Sequence, residues 1–351
     1  MKAYQITQWG QPLEEREVEI PKPKGTEVLL KVTACGVCHS DIHIWDGFFD
    51  LGGGKKVTLE DRGLKLPFTL GHETLGKVAG LGPEATGVSI GEKRIAYPWI
   101  GCGQCEVCKR DQELICMNPI TIGTRRNGGY AEYLIVPHPK YLVPCDDVDE
   151  AVAATAACSG ITAYSALKKV RHLRSDESLL IVGAGGVGLA GIGMAKALVK
   201  AKIIVAEIDP AKRAAALKAG ADIVLDNSET SAREELISLT NGGPNAAIDF
   251  VGAPATVEFA FGLMAKGASL VLVGLYGGAA QLSTSLFPLK VNNILGSYVG
   301  TQQDLVELLQ LFREGKVKPV PLVRRPLREA PQAIQELREG KALGRYVLIN
   351  D

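Results

Sequence analysis

The stretch Leu179-Leu180-Ile181-Val182-Gly183-Ala184-Gly185-Gly186-Val187-Gly188 decides the fold. Four apolar residues suited to a buried strand run into Gly-x-Gly-x-x-Gly, and Val187–Val199 beyond it has helical composition. Strand, glycine turn and helix in that order form a dinucleotide-binding unit. The glycines let the backbone turn tightly and approach a pyrophosphate, and the helix N-terminus supplies unpaired N–H groups and a favourable dipole. Gly183, Gly185, Gly186, Val187 and Gly188 are the cofactor positions. The uncharged run Leu179–Ala195 could also read as a membrane span or a glycine-rich packing face, but its six glycines and the flanking strand argue for the nucleotide turn.

Working outward, Ile203–Ala206 reads as a second strand ending at Glu207, 24 residues beyond Gly183. That is near the spacing expected for the acid that binds the adenosine ribose hydroxyls, and a carboxylate there repels a 2′-phosphate, favouring NAD over NADP. Asp209 is a rival: a ribose acid or the cap of the next helix. Glu207 is preferred because it closes the strand. Helix-like Ala211–Ala219 and strand-like Ile223–Leu225, Ala246–Val251 and Ser269–Val273 continue the alternation, which signals a parallel sheet flanked by helices. Ala151–Lys169 reads as a helix ahead of it. Asp304–Gly315 and Pro331–Gly340 read as surface helices, and Arg345–Ile349 as a closing strand. The first 150 residues are rich in Gly, Pro and β-branched residues, and Val28–Val32 and Tyr133–Val136 read as strands of a mostly β domain.

At 351 residues the chain has length for about two domains. Lys+Arg and Asp+Glu both total 39, so no basic surface is expected and nucleic acid is not the main partner. No membrane partner is expected either. The N-terminal MKAYQITQWGQP has no apolar signal core, and eight cysteines with metal-like spacing favour a cytoplasmic, reducing setting.

Four of those cysteines read Cys102-x2-Cys105-x2-Cys108-x7-Cys116. Thiolates so spaced can converge on one tetrahedral Zn²⁺, and four sulfur ligands leave no open position, so the site is structural. Unrelated core cysteines or a disulfide cluster are the competing readings, and the spacing disfavours the first. Elsewhere Cys38, His72 and Cys158 would make a Cys₂His set with a fourth position open to water or substrate, a ligand set known from alcohol dehydrogenase.

On these residues the chain resembles the zinc-dependent alcohol dehydrogenases of the medium-chain dehydrogenase/reductase superfamily. The resemblance covers essentially the whole chain. It rests on Cys38-His39-Ser40-Asp41-x-His43, Gly71-His72-Glu73, the Cys102/105/108/116 lobe, Cys158-Ser159-Gly160-Ile161-Thr162, Gly183–Gly188 and Glu207. It implies an α/β protein: a GroES-like, mostly β catalytic domain over residues 1–153, a Rossmann coenzyme domain with a doubly wound parallel sheet over 154–296, and a return to the catalytic domain over 297–351. It further implies Cys38, His72 and Cys158 as catalytic zinc ligands, so two zinc ions per chain. Glu73 would be an acid able to visit the metal, Asp41 the carboxylate orienting His72, and Ser40 with His43 a proton relay. His39 and Arg345 would lie near the cofactor pyrophosphate, although Arg345 could be a solvated arginine. Thr162 and Val187 would pack on the nicotinamide, and Val273 is a further cofactor-binding position.

The implied reaction is reversible oxidation of a primary or secondary alcohol to an aldehyde or ketone, with NAD⁺ accepting hydride. A zinc-dependent polyol dehydrogenase and a zinc-free quinone reductase are the alternatives, and a homo-oligomer, a tetramer or otherwise a dimer, is expected. Phe49, Tyr97, Trp99 and Val299 are the pocket candidates, and their mixed lining suggests medium-sized apolar or aromatic alcohols. Residues 48–66 form a longer connection than the family's usual one. A surface insertion and a flap at the substrate mouth are equally open readings. Cys145 belongs to no motif and is expected to be a packed thiol.

Overall fold

The structure, a computed structural model, describes residues 1–350. Its six-stranded sheet is wholly parallel and runs Ile223–Leu225, Lys202–Ala206, Ser178–Val182, Ala246–Asp249, Ser269–Leu272, Asn293–Gly296. The first strand in sequence, Ser178–Val182, is central, so the chain winds to one edge and returns to build the other. The reversal opens a crevice at the strands' carboxyl ends, where such sheets bind ligands. All five residues of that strand are buried, which explains an apolar run without alternation. The run Leu179–Ala195 is therefore strand, glycine turn and the helix Gly186–Leu198. Among the described residues no helix is long and apolar enough to cross a membrane.

The second sheet has seven strands centred on Val28–Gly36, which pairs antiparallel with Glu73–Leu81, Tyr133–Val136 and the closing strand Arg345–Ile349. The last residues of the chain thus lie in the sheet built by the first. One apolar cluster runs from Val28 and Leu30 through Ala153 and Ile161 to Leu179 and Ile203 and joins the two sheets, while a second, around Phe261 and Leu270, fills the far face of the parallel sheet. Cys145 is fully buried in the first cluster.

Ala151–Lys169, expected as one helix, is two α-helical pieces, Glu150–Thr155 and Ile161–Lys168, joined by one π turn over Ala156–Gly160. The expected boundary at 153–154 falls inside the first piece, so the chain passes between the sheets without a linker. Side chains sustain the wide turn. Thr155 donates to the carbonyls of Ala151 and Val152, at 3.1 Å each, and Ser159 Oγ donates to the Thr155 carbonyl at 2.9 Å. One extra residue per turn leaves composition and apolar spacing almost unchanged, so the sequence does not reveal it.

The connection 48–66 contains a hairpin, Phe48–Gly52 with Lys55–Thr58, turned by Gly53 and Gly54 at positive φ. It leans onto the loop beyond Ser269–Leu272: a Cβ on Gly52 would come within 2.5 Å of the Ala279 nitrogen. The connection therefore crosses towards the parallel sheet, as a flap would, and is more than a surface insertion.

The helix Gln302–Arg313 starts two residues ahead of expectation because Thr301 caps it, exchanging hydrogen bonds with Asp304. It docks on the π turn through Leu308 and on Ile161–Lys168 through Lys168, which reaches Asp304 at 2.7 Å and Glu307 at 3.0 Å. Leu308 is fully buried. Leu308→Ala is expected to cost about 2–5 kcal/mol, measured as a fall in the urea denaturation midpoint. An unchanged midpoint would mean that this helix does not brace the turn.

Candidate active site between the two sheets

The site starts with a helix cap. Cys38 precedes the helix His39–Asp46, and its N–H donates to Asp41 Oδ2 at 2.9 Å. The same oxygen accepts the Tyr130 hydroxyl at 3.0 Å, and Asp41 Oδ1 lies 3.0 Å from His72 Nδ1. One carboxylate thus places Cys38 and turns the His72 ring so that Nε2 faces inward. Burial pushes the imidazolium down, but Asp41 and Cys38 outweigh it and hold the His72 pKa well above its usual value.

Cys158 arrives from the π turn. Ligand atoms of Cys38, His72, Glu73 and Cys158 all lie within 4.8 Å of one another, and all four residues are buried. The hydrogen bond from Cys158 draws the Cys38 thiol well below its usual pKa, and the same bond with burial pushes Cys158 up. His72 Nε2 is buried without a hydrogen-bond partner. Two thiols, an orphaned imidazole nitrogen and a reachable carboxylate suit a zinc ion with one open position.

Glu73 is anchored on both oxygens: Oε1 accepts the Ser159 N–H at 3.0 Å and Oε2 accepts Arg345 Nη2 at 2.6 Å. Burial raises its pKa and Arg345 opposes, leaving it at about 7. Arg345 is 5% exposed, so the solvated-arginine reading is set aside. Its Nε has no partner, and a Cβ on Gly186 would come 2.4 Å from its Cδ. One guanidinium therefore spans from the sulfur cluster to the glycine turn.

At that turn Gly183 has φ 89°, and Gly188 is required by contact, since a Cβ there would sit 2.0 Å from the Gly183 carbonyl oxygen. A Cβ on Gly185 would meet nothing within 4 Å, so that side of the turn is open to a phosphate. Glu207 follows the strand Lys202–Ala206; its carboxylate accepts the Ala184 N–H at 2.7 Å and the Asp209 N–H at 3.0 Å. Asp209 caps the helix Pro210–Ala219 through the N–H groups of Ala211 and Lys212. Val187 and Val273 are half-buried near the crevice, and Thr162 is buried with an unpartnered hydroxyl. His39 keeps an exposed face, yet crowding by protein lowers its pKa.

Ser40 and His43 are half-buried on one helix face, three residues apart. Burial lowers the His43 pKa although Asp46 and Cys38 oppose it, and the ring packs on Phe49 at 5.2 Å. Of the other pocket candidates, Trp99 stands 5.4 Å from the His72 ring with its Nε1 bonded to the Ala157 carbonyl. Tyr97 departs from expectation. Its hydroxyl donates to the Gly300 carbonyl at 2.7 Å and its ring is buried, so it supports the Val299–Gly300 backbone. That backbone is strained: Val299, a β-branched residue, sits at φ 39°. The sequence reading missed Tyr298, whose ring packs edge-on against Trp99 at 5.5 Å. Its adjacency to Val299 was the available signal. It also gave no role to Ser159, whose N–H holds Glu73, although Ser159 lies in the motif Cys158–Thr162.

The other cysteine cluster is a separate lobe. Cys102, Cys105, Cys108 and Cys116 bring their sulfurs within 4.8 Å of one another, with Cys105 Sγ 3.4 Å from Cys108 Sγ and 3.8 Å from Cys116 Sγ. Backbone N–H groups, chiefly that of Gln104, lower the Cys102 thiol to about 6, which favours the thiolate a cation needs. Glu113 ties the lobe to the sheet through Gly101 N–H, Tyr141 and Lys140.

Comparison with known proteins follows the same outline. Residues 24–147 match the alcohol dehydrogenase GroES-like domain, and residues 186–314 match the zinc-binding dehydrogenase family. The NAD-dependent alcohol dehydrogenases of Saccharolobus solfataricus and Sulfurisphaera tokodaii are 40% and 38% identical, over 99% of this chain and all of theirs. The crystal structure of the alcohol dehydrogenase from Aeropyrum pernix superposes with a TM-score of 0.90 at 30% identity, covering 99% of this chain and 100% of that one. The chain belongs to the zinc-dependent alcohol dehydrogenases of the medium-chain dehydrogenase/reductase superfamily.

Proposed function

We propose that the protein oxidises alcohols reversibly to aldehydes or ketones with NAD⁺. The observation that carries this is the juncture of two sites: the open Cys38–His72–Cys158 cluster is joined to the glycine turn by Arg345. When bound, zinc supplies a Lewis acid that eases loss of the alcohol proton, and NAD⁺ supplies the hydride acceptor. Cys38, His72 and Cys158 hold the metal, with Asp41 fixing the imidazole tautomer. Glu73, whose pKa burial raises to about 7 against the opposing charge of Arg345, would lie within reach of the bound metal as a further carboxylate donor. Ser40 takes the proton from the substrate and His43 passes it to solvent. The residues Gly183–Gly188, His39 and Arg345 seat the pyrophosphate, Glu207 takes the ribose hydroxyls, and Thr162, Val187 and Val273 orient the nicotinamide.

Cys102, Cys105, Cys108 and Cys116 hold a second, structural zinc. A homo-oligomer, a tetramer or otherwise a dimer, is supported by exposed Leu295 on the edge strand Asn293–Gly296 of the parallel sheet and by exposed Leu289 and Val291 just ahead of it. The cytoplasm suits six ligand thiols that must remain reduced. The polyol dehydrogenase reading is disfavoured by Cys158 as third ligand, and the quinone reductase reading by the cluster itself.

Metal analysis is expected to find about two zinc ions per chain. Cys158→Ala should lose one zinc and turnover with little change in folding, whereas Cys105→Ser should lower thermal stability first. Full zinc and wild-type rates in Cys158→Ala would end the catalytic assignment.

The depressed pKa of His43 keeps it neutral, and able to accept a proton, below the usual histidine range. Alcohol oxidation should fall as pH drops through that lowered value. His43→Gln should slow oxidation most above that lowered pKa, where the wild-type imidazole can still accept the proton, by up to about 10²-fold because water substitutes in part. A pH–rate profile identical to wild type would remove His43 from the relay.

Glu207→Ala should weaken NAD⁺ and admit NADP⁺, shifting their kcat/KM ratio by about tenfold. Asp209→Ala should leave that ratio alone and cost about 1 kcal/mol of stability as a lost helix cap. A shifted ratio in Asp209→Ala alone would move the ribose site to Asp209.

A further inference from the structure

Beside Glu207 stands a charge pair to which the proposed reaction gives no part. Arg213 is the fourth residue of the helix Pro210–Ala219, and its side chain turns back to the end of the strand Lys202–Ala206. Its Nη1 donates to the carbonyls of Glu207 and Ile208, at 2.8 Å each, and to Asp226 Oδ2 at 2.6 Å. Asp226 follows the neighbouring strand Ile223–Leu225, on which the Leu225 carbonyl accepts the Glu207 N–H at 3.1 Å. Asp226 is itself fixed, because Oδ1 accepts both the N–H and the hydroxyl of Ser228. Two carbonyls and one carboxylate thus hold a guanidinium on the backbone of the ribose acid itself.

Only Nη1 is so engaged. Among the described residues Nη2 and Nε of Arg213 make no hydrogen bond, and the edge is open, with Ile208 60% exposed. The carboxylates of Glu207 and Asp226 outnumber the guanidinium, and Asp209 and Lys212 on the adjoining turn add one charge of each sign, so the edge stays negative. The ribose of NAD⁺ needs only an acceptor there. A 2′-phosphate needs a cation with free donors, and the planar fork of arginine suits it. Arg213 is anchored at the right residue, but its charge is spent on Asp226. Neutral carbonyls compete poorly with a phosphate, so Asp226 is the group that detains the guanidinium.

We propose that Asp226 is a specificity-determining residue for the cofactor: it detains Arg213 and so bars the 2′-phosphate of NADP⁺, and without its charge Arg213 becomes the ligand of that phosphate. This inference rests on Glu207 as the ribose acid and deepens that reading. The test measures binding of 2′,5′-ADP and of 5′-AMP by calorimetry, without turnover, and kcat/KM for NADP⁺ and NAD⁺ with one alcohol. Asp226→Asn is the main variant, since it keeps an oxygen for Ser228 and removes only the charge.

At low ionic strength Asp226→Asn should raise the affinity for 2′,5′-ADP relative to 5′-AMP by about tenfold, the size of one charge-assisted hydrogen bond partly screened by solvent. The ratio of kcat/KM for NADP⁺ over NAD⁺ should rise in step. Both gains should vanish when Arg213→Gln is added, survive in part with Arg213→Lys, and shrink in high salt, which a merely structural change would not do. Should Asp226→Asn misfold, Asp226→Ser carries the comparison. An unchanged affinity ratio on loss of the Asp226 charge, or a gain that persists beside Arg213→Gln, overturns the inference alone. Failure of both nucleotides to bind any form overturns the placement of the cofactor and the inference with it. Absence of turnover with every alcohol overturns the alcohol dehydrogenase reading, while the affinity ratio still decides the inference.

Discussion

The carboxylate of Asp41 is the interaction on which the rest depends. It is fully buried and accepts from the Cys38 N–H and the Tyr130 hydroxyl while facing His72 Nδ1. A buried charge with no partners would be costly; three directed contacts make it tolerable and also make it specific. The three partners come from three segments distant in sequence, so the carboxylate registers the start of one helix against two strand ends. Cap, imidazole orientation and placement of a sulfur all follow from one residue.

A second buried network joins what Asp41 builds to the nucleotide turn. Glu73 is held by the Ser159 N–H and by Arg345, and Arg345 passes beside Gly186. The π turn over Ala156–Gly160 presents that N–H and Cys158 to one small volume. Wide turns of this kind recur at functional sites because they re-aim side chains without breaking the helix. Here the turn is braced from behind by Leu308, so the helix Gln302–Arg313 contributes to the site without entering it.

What the sequence discloses depends on the range of the interaction. The strand Ser178–Val182, the glycine turn and the helix Gly186–Leu198 are legible because their signals are local: apolar run, glycines and periodicity lie within some twenty residues. The four-cysteine lobe is legible for the same reason. Cys38, His72 and Cys158 become a set only through likeness to a family, since nothing local says that they meet. The π turn, the support role of Tyr97 and the place of Tyr298 are not legible. Each is decided by a partner more than a hundred residues away or by one inserted backbone residue. The 48–66 connection announces its length in the sequence, but its lean onto Ala279 depends on a contact with the opposite sheet.

The closing strand Arg345–Ile349 pairs with Val28–Gly36 and carries the arginine that neutralises Glu73. During synthesis the glycine turn and all the sulfurs leave the ribosome well before this strand does. Until it emerges, the catalytic sheet lacks an interior neighbour and Glu73 lacks its cation. Pairing across more than three hundred residues is among the slowest contacts a chain can make. The buried network around Glu73 is thus completed only once this strand has emerged and paired, and a chain cut short of it lacks both the interior strand and the cation of Glu73.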